Sequence, residues 1–229
     1  VDIFIAFNRN ISNIQKKFNA IMRNFLNSKL NKLEQKYGPV SVQLLHGSRD
    51  YYRIALSNDV VVEIVPIYNI SKANQAVNIT DVSPLHVKYV RKKIKQEPKL
   101  INHIKLAKAF FYANDCYGAE SHLQAFSGYA IELLIIHYRN FINFCKAACK
   151  WSQLLKKKKC NKIFIDIENY YKNLSHALTM LNKSKTYSNI ILIDPVDKFR
   201  NVTAVVSDEV LIRLSKACCK FLNRPSINF

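Results

Sequence analysis

The chain has 229 residues, 49% of them hydrophobic, which suffices for one large or two small domains with a buried core and disfavours intrinsic disorder. Lysine and arginine number 35 against 16 acidic residues, and a net charge of +19 indicates a polyanionic partner, nucleic acid ahead of a membrane surface. No apolar run approaches the roughly 20 residues that span a bilayer, so we predict no membrane partner.

The N-terminal part predicts strands around one long helix. "VDIFIAF" at 1–7 is typical of a strand buried on both faces, with Asp2 near its start. Ser12 and Gln15 fit a capping box for an amphipathic helix that Gly38-Pro39 ends. Two or three strands follow in "VSVQLLH", "YYRIAL" and "DVVVEIVPIY". This order predicts an α+β sheet with a helix packed on it.

From about Pro84 the pattern turns helical, and two strand-like segments, "KIFIDI" and "NIILID", flank one of the helices. The predicted helices span 84–95, 99–114, 119–136, 138–150, 167–183 and Ser207 to about Leu222. A partial α+β domain is therefore followed by a mostly helical one.

The cysteines lack the paired spacing of a zinc site, since none forms a CxxC motif. We predict that all of them are reduced thiols in a cytoplasmic protein. They are Cys116, Cys145, Cys149, Cys160, Cys218 and Cys219.

Two strands with a buried pattern each carry one acidic residue, Asp2 and Glu63. A carboxylate among β-branched residues costs several kcal/mol unless it is paired or binds a metal. Either these are solvated acids at strand ends, or they form a divalent-metal site of the kind that holds Mg²⁺ for phosphoryl chemistry.

A second pattern is misleading. Gly47-Ser48, followed by Asp59 and Glu63, imitates the Gly-Ser and paired carboxylates of the DNA polymerase beta superfamily. Residues four apart on a strand are not the i, i+2 pair that the metal needs, so we predict that Gly47-Ser48 is a turn.

Three basic side chains are further candidates, each with a structural alternative. His86 begins a helix, where a lone histidine is more often structural. Lys108 lies in an apolar helix and by default only extends its amine to solvent. For Arg200, which follows "DPVDKF", the default is an ion pair with Asp194 or Asp197.

Several blocks occur in a characteristic order: "PLH", "ANDCYGAE", "FSGYAIELL", Trp151, "DPVDKFRNV" and "FLNRPSINF". This succession resembles the archaeal-type (class I) CCA-adding enzymes, which are tRNA nucleotidyltransferases, and it covers essentially the whole chain. The resemblance implies that 1–95 is the later part of a nucleotidyltransferase (polymerase beta-like) head. It also implies that 96–229 is the neck and body, a helical substrate-binding domain.

The resemblance assigns roles to individual residues. Asp2 and Glu63 match catalytic carboxylates that hold Mg²⁺, and a further carboxylate and the Gly-Ser motif would precede Val1. A tail domain would follow "PSINF". The residues that match nucleotide-binding positions are His86, Lys108 and Tyr117, with Arg200 as an arginine that helps to select CTP or ATP.

Two of the four glycines, Gly118 and Gly128, lie within "YGAESHLQAFSGYAIELL" at 117–134. On the resemblance, Gly118 breaks the chain between two helices so that Tyr117 points into the nucleotide pocket. Gly128 permits close helix packing or approach to RNA backbone. The alternative is that both glycines only aid packing.

The chain departs from the family pattern in two places. Gln124-Ala125 stand where the family has Arg-Gly, which removes a possible phosphate contact. The stretch from Trp151 to Ile193 is longer than usual and contains "KKKK" and "NYYKN". It is either an added RNA-contacting surface or a solvated lysine face.

The function that the resemblance implies is template-independent addition of CCA to the 3′ end of tRNA from CTP and ATP, with release of pyrophosphate. The tRNA acceptor stem would be held by its shape and phosphates. The chain alone is expected to be inactive, and a split-gene partner is one source of the missing head segment. The alternatives are a catalytically incomplete tRNA-binding fragment and a poly(A) polymerase-like or oligoadenylate synthase-like nucleotidyltransferase.

Overall fold

A computed structural model describes residues 1–57, 60–118, 122–156 and 162–225. The chain divides into two units, Val1–Leu85 and His86–Phe229. Both contain helices and a sheet, which confirms the predicted α+β class. The sequence-based boundary at 95/96 lies at the end of the helix Ser83–Gln96. The two units of the structure divide near the start of the same helix.

The first unit is a four-stranded sheet with one long helix. Its strands are β1 (Asp2–Phe7), β2 (Val40–Leu45), β3 (Tyr51–Leu56) and β4 (Val61–Tyr68). They lie in the order β1-β4-β3-β2, in which β1 runs parallel to β4 and the other pairs are antiparallel.

Helix α1 (Ile14–Tyr37) covers one face of this sheet through a core that includes Phe18 and Met22. Asn13, not the predicted Ser12, caps the helix, because its side chain accepts a hydrogen bond from the Lys16 amide at 2.9 Å. The predicted end is confirmed: Gly38 adopts a φ of 76° and its N–H bonds the Glu34 carbonyl.

The prediction that β1 is buried on both faces is wrong, because only Phe7 is buried and Asp2, Ile3 and Ala6 are exposed. Helix α1 covers just one of the two faces, and β1 lies at the edge of the sheet. Its apolar pattern therefore comes from a single covered face together with a partly exposed edge.

The loop between β2 and β3 contains Gly47-Ser48 in a bend, as predicted. The next residue, Arg49, makes a two-pronged ion pair with the fully buried Asp81, with Nη2 3.0 Å from Oδ2. Asp81 also accepts hydrogen bonds from three backbone amides, among them that of Tyr68 at 2.7 Å. This pair fastens the β2–β3 loop to the segment that precedes the next helix.

The second unit is mainly helical. Its helices are α2 (Ser83–Gln96, which begins in the first unit), α3 (Leu100–Ala113), α4 (Gly128–Tyr138), α5 (Phe141–Ala148), α6 (Trp151–Lys156), α7 (Leu174–Met180) and α8 (Asp208–Asn223). Two predicted helices were too long. Residues 122–127 precede α4 as a loop, and 167–173 precede α7 as irregular chain. Ala119, Glu120 and Ser121 lie outside the described residues.

A small sheet accompanies these helices, with strands β5 (Ile163–Ile165), β6 (Ile190–Asp194) and β7 (Asp197–Asn201). The first two match the predicted strand-like segments and run parallel, whereas β7 was not predicted and runs antiparallel to β6. Every residue of β6 is buried, including the charged Asp194 at its end. An acid so placed must be fully hydrogen-bonded.

The prediction of reduced thiols is wrong for one pair. Cys149, which follows α5, and Cys219 on α8 form a disulfide across 70 residues, because the packing of α5 against α8 leaves their Cα atoms 4.9 Å apart. Cys116, Cys145 and Cys218 are free and buried. Cys160 lies outside the described residues. No helix in the described ranges is both long and apolar enough to cross a membrane.

Candidate active site

Asp2 and Glu63 are register partners on the parallel strands β1 and β4. Phe7 and Ile64 pack into the core under α1, and side chains alternate along a strand, so both acids lie on the opposite face of the sheet. Asp2 is exposed and Glu63 half-buried. Two carboxylates from different parts of the chain therefore stand side by side on the face opposite α1.

The donor set fits part of a Mg²⁺ site. Neither side chain makes an ion pair or hydrogen bond to the described residues, so both keep their carboxylate oxygens available, and Mg²⁺ usually takes one or two carboxylates and keeps several waters. The described residues contain no group of three or more potential ligands that could hold a metal. Asp59 lies outside the described ranges. The two acids can thus supply a share of the ligands but not a closed cage.

Sequence reasoning missed Arg53, which is the register partner of Glu63 on the other side, in the antiparallel β3–β4 pair. Directly opposed residues share a sheet face, so Asp2, Glu63 and Arg53 form one row across three strands. Arg53 is exposed and makes no ion pair with the described residues. The hairpin register, unknown from the sequence, was needed to find it.

A second group of side chains surrounds the first turn of α4. Lys108 on α3 makes an ion pair with Glu132 on α4, with 2.6 Å between Nζ and Oε1. A Cβ added to Gly128 would lie 2.8 Å from the Tyr117 hydroxyl and 3.7 Å from the Lys108 Nζ. Two predicted nucleotide-binding residues, Lys108 and Tyr117, therefore meet at the glycine that opens α4.

The backbone before α4 explains how Tyr117 reaches this turn. Tyr117 forms a single β-bridge with Phe126, and Gly118 exchanges hydrogen bonds with Phe126 and Ala125, each of 2.9 Å. Gly118 has a φ of 132°, which side chains other than glycine rarely adopt. Gly118 does lie between two helices, as predicted, but α3 already ends at Ala113, so the glycine shapes the extended loop and does not itself end the helix.

The next residue along α4, Tyr129, belongs to a buried cluster around Asp194. Its hydroxyl donates to Asp194 Oδ1 at 3.0 Å, and its ring stacks on His86 with centroids 4.0 Å apart. His86 Nε2 and Arg200 Nη1 lie 2.9 and 2.8 Å from Asp194 Oδ2. Of the two partners proposed for Arg200, the structure selects Asp194.

The ring of His86 cannot bond both neighbours through one atom, because its Nε2 also lies 3.1 Å from Arg200 Nη1. A guanidinium only donates and an ionised carboxylate only accepts. We assign the proton to Nε2, which then donates to Asp194, since the buried carboxylate needs donors. On this assignment, Arg200 and His86 both donate to the Oδ2 atom of Asp194.

Burial alone would raise the pKa of Asp194. The hydrogen bond and charge of His86, the Val196 amide and the charge of Arg200 outweigh it and hold the pKa below its ordinary value. For Tyr129, burial and the neighbouring Asp194 carboxylate raise the pKa, so its hydroxyl stays protonated and donates. Asp194 is therefore an ionised acceptor surrounded by donors.

Two of the four predicted nucleotide-binding residues, Lys108 and Tyr117, lie at Gly128, the first residue of α4. The other two, His86 and Arg200, belong to the cluster around Asp194, which the next residue of α4, Tyr129, also bonds. Sequence reasoning missed Tyr129 and Glu132, although both lie within the quoted block "FSGYAIELL", and it named Asp194 only as one of two ion-pair partners for Arg200.

Two segments noted as departures have structural partners. Gln124 has a φ of 47°, and its carbonyl accepts from the Ser207 amide that precedes α8. In "NYYKN", the hydroxyls of Tyr170 and Tyr171 donate to the carbonyls of Pro195 and Lys198, at 2.6 and 2.5 Å. These tyrosines bond the β6–β7 turn and the first part of β7. Lys157 to Lys159 lie outside the described residues.

A family model described as "tRNA nucleotidyltransferase, second domain" matches residues 102–229. The chain belongs to the tRNA nucleotidyltransferase family. It is 45% identical over 163 residues to a CCA-adding enzyme of Nanoarchaeum equitans. The aligned region covers 71% of this chain and 38% of that protein. It is 31% identical over its full length to CCA-adding enzymes of Saccharolobus solfataricus and Methanocaldococcus jannaschii, and covers 48% and 47% of them.

The chain spans about half the length, or less, of these relatives. Among solved structures, that of a cytoplasmic RNA terminal U-transferase matches with a TM-score of 0.60 and 13% identity, over 99% of this chain and 77% of that one. This likeness supports the nucleotidyltransferase fold that was predicted for this member of the tRNA nucleotidyltransferase family.

Proposed function

We propose that this chain is part of an enzyme that adds CCA to the 3′ end of tRNA from CTP and ATP, with Mg²⁺ and release of pyrophosphate. The observation that carries the proposal is that Lys108 and Tyr117 meet at Gly128 while His86 and Arg200 meet at Asp194, which the next residue of α4, Tyr129, also bonds. The names of its archaeal relatives support the same activity.

The first turn of α4 suits a nucleotide triphosphate. Lys108 supplies a positive charge with three donors, of which Glu132 engages one, and the Tyr117 hydroxyl adds a neutral donor. The amides of Gly128 and Tyr129 precede the first intrahelical hydrogen bond, and the helix dipole favours an anion there. Phosphate oxygens are the ligands that match these donors.

The base would be chosen by the protein. Arg200 carries a rigid fork of donors that can bond an acceptor edge of cytosine or adenine. His86 lies beside it, with its ring fixed between Tyr129 and Asp194. These two residues are our candidates for nucleotide selection.

Asp2 and Glu63 would hold Mg²⁺ together with a further carboxylate. When bound, such ions activate the attacking 3′ hydroxyl and neutralise charge on the transferring phosphate. Because the described residues contribute two carboxylates, we expect the 229 residues alone to be inactive. A split-gene partner and a cytoplasmic location stay predictions.

The test uses the full-length gene product and a tRNA transcript that lacks its terminal CCA. We expect the wild type to incorporate two C residues and then A. Glu63→Gln should abolish this incorporation, because it removes a metal ligand, but it should leave tRNA binding intact. Binding should weaken steeply with salt, because the +19 chain would displace counterions from phosphates. Addition of A alone or of U alone would contradict the proposal and indicate a different terminal transferase.

A further inference from the structure

We propose that Asp194 is a positioning residue for nucleotide selection, whose buried carboxylate holds Arg200 and His86 as one unit although it does not itself reach the nucleotide. The inference rests on the proposed function, since it concerns the choice between CTP and ATP. Asp194 is 0% exposed, so any effect on the nucleotide must pass through its neighbours.

The carboxylate has a donor on every side. Oδ1 accepts from the Tyr129 hydroxyl and the Val196 amide, both at 3.0 Å, and Oδ2 accepts from His86 and Arg200. The first two donors fix the plane of the carboxylate, and that plane decides where Oδ2 directs the other two. Four elements meet here, namely α2, α4, β6 and β7.

Arg200 is held by one end only. Its Nη1 bonds Asp194, whereas its Nη2 and Nε make no hydrogen bond to the described residues. The side chain is 28% exposed, so the remaining donors can meet a ligand. An arginine fixed at one nitrogen offers its other donors in a defined direction, whereas a freely rotating one does not.

The backbone between the two residues is also fixed. The β6–β7 register shifts between Ile193 and Asp194, and such irregularities re-aim the side chain that they carry. The hydroxyl of Tyr170 bonds the Pro195 carbonyl on the turn that joins the strands, and the hydroxyl of Tyr171 bonds the Lys198 carbonyl on β7. Asp194 and Arg200 therefore keep their separation through the chain as well as through their ion pair.

A merely structural Asp194 would give a different result from a positioning one. Loss of a structural ion pair lowers the amount of folded enzyme, which reduces the use of CTP and ATP by the same factor. Loss of positioning changes the ratio of the two kcat/KM values, because Arg200 then meets the two bases in a changed geometry.

The experiment measures kcat/KM for CTP and ATP in the full-length enzyme with Asp194→Asn, Arg200→Ala and the double variant. We expect Asp194→Asn to change the CTP:ATP ratio about tenfold, within the range that a bidentate arginine contact gives in base discrimination. In the Arg200→Ala background, Asp194→Asn should change the ratio by a clearly smaller factor, because only His86 remains of the two residues through which it acts.

Asp197→Asn is the matched control, since it makes the same chemical change in the same hairpin, and Asp197 accepts only from the Phe199 amide in the described structure. Its ratio should equal that of the wild type. Equal losses for both nucleotides in Asp194→Asn, or a ratio change of the same size with and without Arg200, would overturn the inference. A wild-type enzyme that used neither nucleotide would overturn the proposed function and this inference with it.

If Asp194→Asn does not fold, Tyr129→Phe provides the test. It keeps the ring that stacks on His86 and the charge of Asp194, and it removes one of the two donors that fix the carboxylate plane. We expect a smaller change of the CTP:ATP ratio in the same direction as in Arg200→Ala. An unchanged ratio in a folded Tyr129→Phe enzyme would contradict positioning through Asp194.

Discussion

The Tyr117 hydroxyl lies so close to Gly128 that a Cβ on this glycine would be 2.8 Å from the phenolic oxygen. Real Cβ atoms do not approach a heavy atom so closely. Gly128 begins α4 in a helical conformation, and the glycine is therefore required by its neighbour and not by its backbone.

Gly128→Ala should leave the protein as stable as the wild type while it displaces Tyr117. Alanine is favoured over glycine in a helix by up to about 1 kcal/mol, and the tyrosine can give way because its hydroxyl is the free end of a side chain. We expect kcat/KM for CTP and ATP to fall together by about five- to tenfold, the cost of one lost hydrogen bond.

The control is Gly128→Ala in a Tyr117→Phe background. Phenylalanine lacks the oxygen that the new methyl group meets, so the glycine substitution should then have little further effect. Full additivity of the two substitutions would argue against the contact.

Lys108→Ala should weaken the use of both nucleotides by about 1.5–3 kcal/mol, the usual value of a hydrogen bond to a charged group. Lys105→Ala is the matched control, because Lys105 lies on the same helix, is exposed and makes no side-chain ion pair or hydrogen bond to the described residues. Steady-state incorporation assays would compare the two. Equal effects in both variants would mean that only the net charge of the surface matters.

Asp81→Asn should destabilise the first unit at neutral pH by about 3–5 kcal/mol, because it leaves Arg49 without its partner in a buried site. Burial would raise the pKa of Asp81, but the bonds from Arg49, Tyr68 and Asn78 together with the Arg49 charge lower it. A lowered pKa stabilises the fold above about pH 4, and this contribution is lost as the pH falls through the pKa of the folded state.

Chemical denaturation between pH 7 and pH 3 measures this effect. The difference in free energy of unfolding between the wild type and Asp81→Asn should become smaller below about pH 4. Asp50→Asn is the control, since Asp50 pairs with His46 at an exposed position and should matter by less than about 1 kcal/mol. A gap that stays constant with pH would show that the charge of Asp81 is not what stabilises the fold.

The bond between Cys149 and Cys219 should make the oxidised chain more stable than the reduced one by roughly 4 kcal/mol, the value expected for a closed loop of 70 residues. A reductant should lower the Tm of the wild type and leave that of Cys149→Ser unchanged. Identical shifts in both proteins would contradict the pairing.

Burial raises the pKa of the free Cys116 thiol to about 11, so it should not react with a thiol reagent at neutral pH.

Periodic segments were predictable from the sequence, as α3 illustrates: its apolar residues recur at helical spacing, and its bounds differ by one residue from those predicted. The loop 122–127 was not predictable in the same way. Its residues have ordinary helix propensity, and the bridge between Tyr117 and Phe126 competes with the helix until Ser127 caps α4. Strand β7 was missed because "DKFRN" shows no apolar alternation.

The candidate site was predictable in part, because His86, Lys108, Tyr117 and Arg200 lie in recognisable blocks. Asp194 was predicted only as one of two ion-pair partners of Arg200, and its further bonds to His86 and Tyr129 could not be read from the sequence. Only the burial of β6 and the return of β7 make it a shared acceptor. The disulfide was missed for a similar reason, because it depends on which helices pack together and not on cysteine spacing.

The pairing of β1 with β4 has a consequence for the order of folding. The β2–β3–β4 meander needs only short connections, whereas Asp2 meets Glu63 only after the chain between them has closed. Pairings between distant residues form later than local ones, so the two carboxylates come together at a late step. A divalent ion that needs both would stabilise the finished sheet but no earlier intermediate, and it would slow unfolding without accelerating folding.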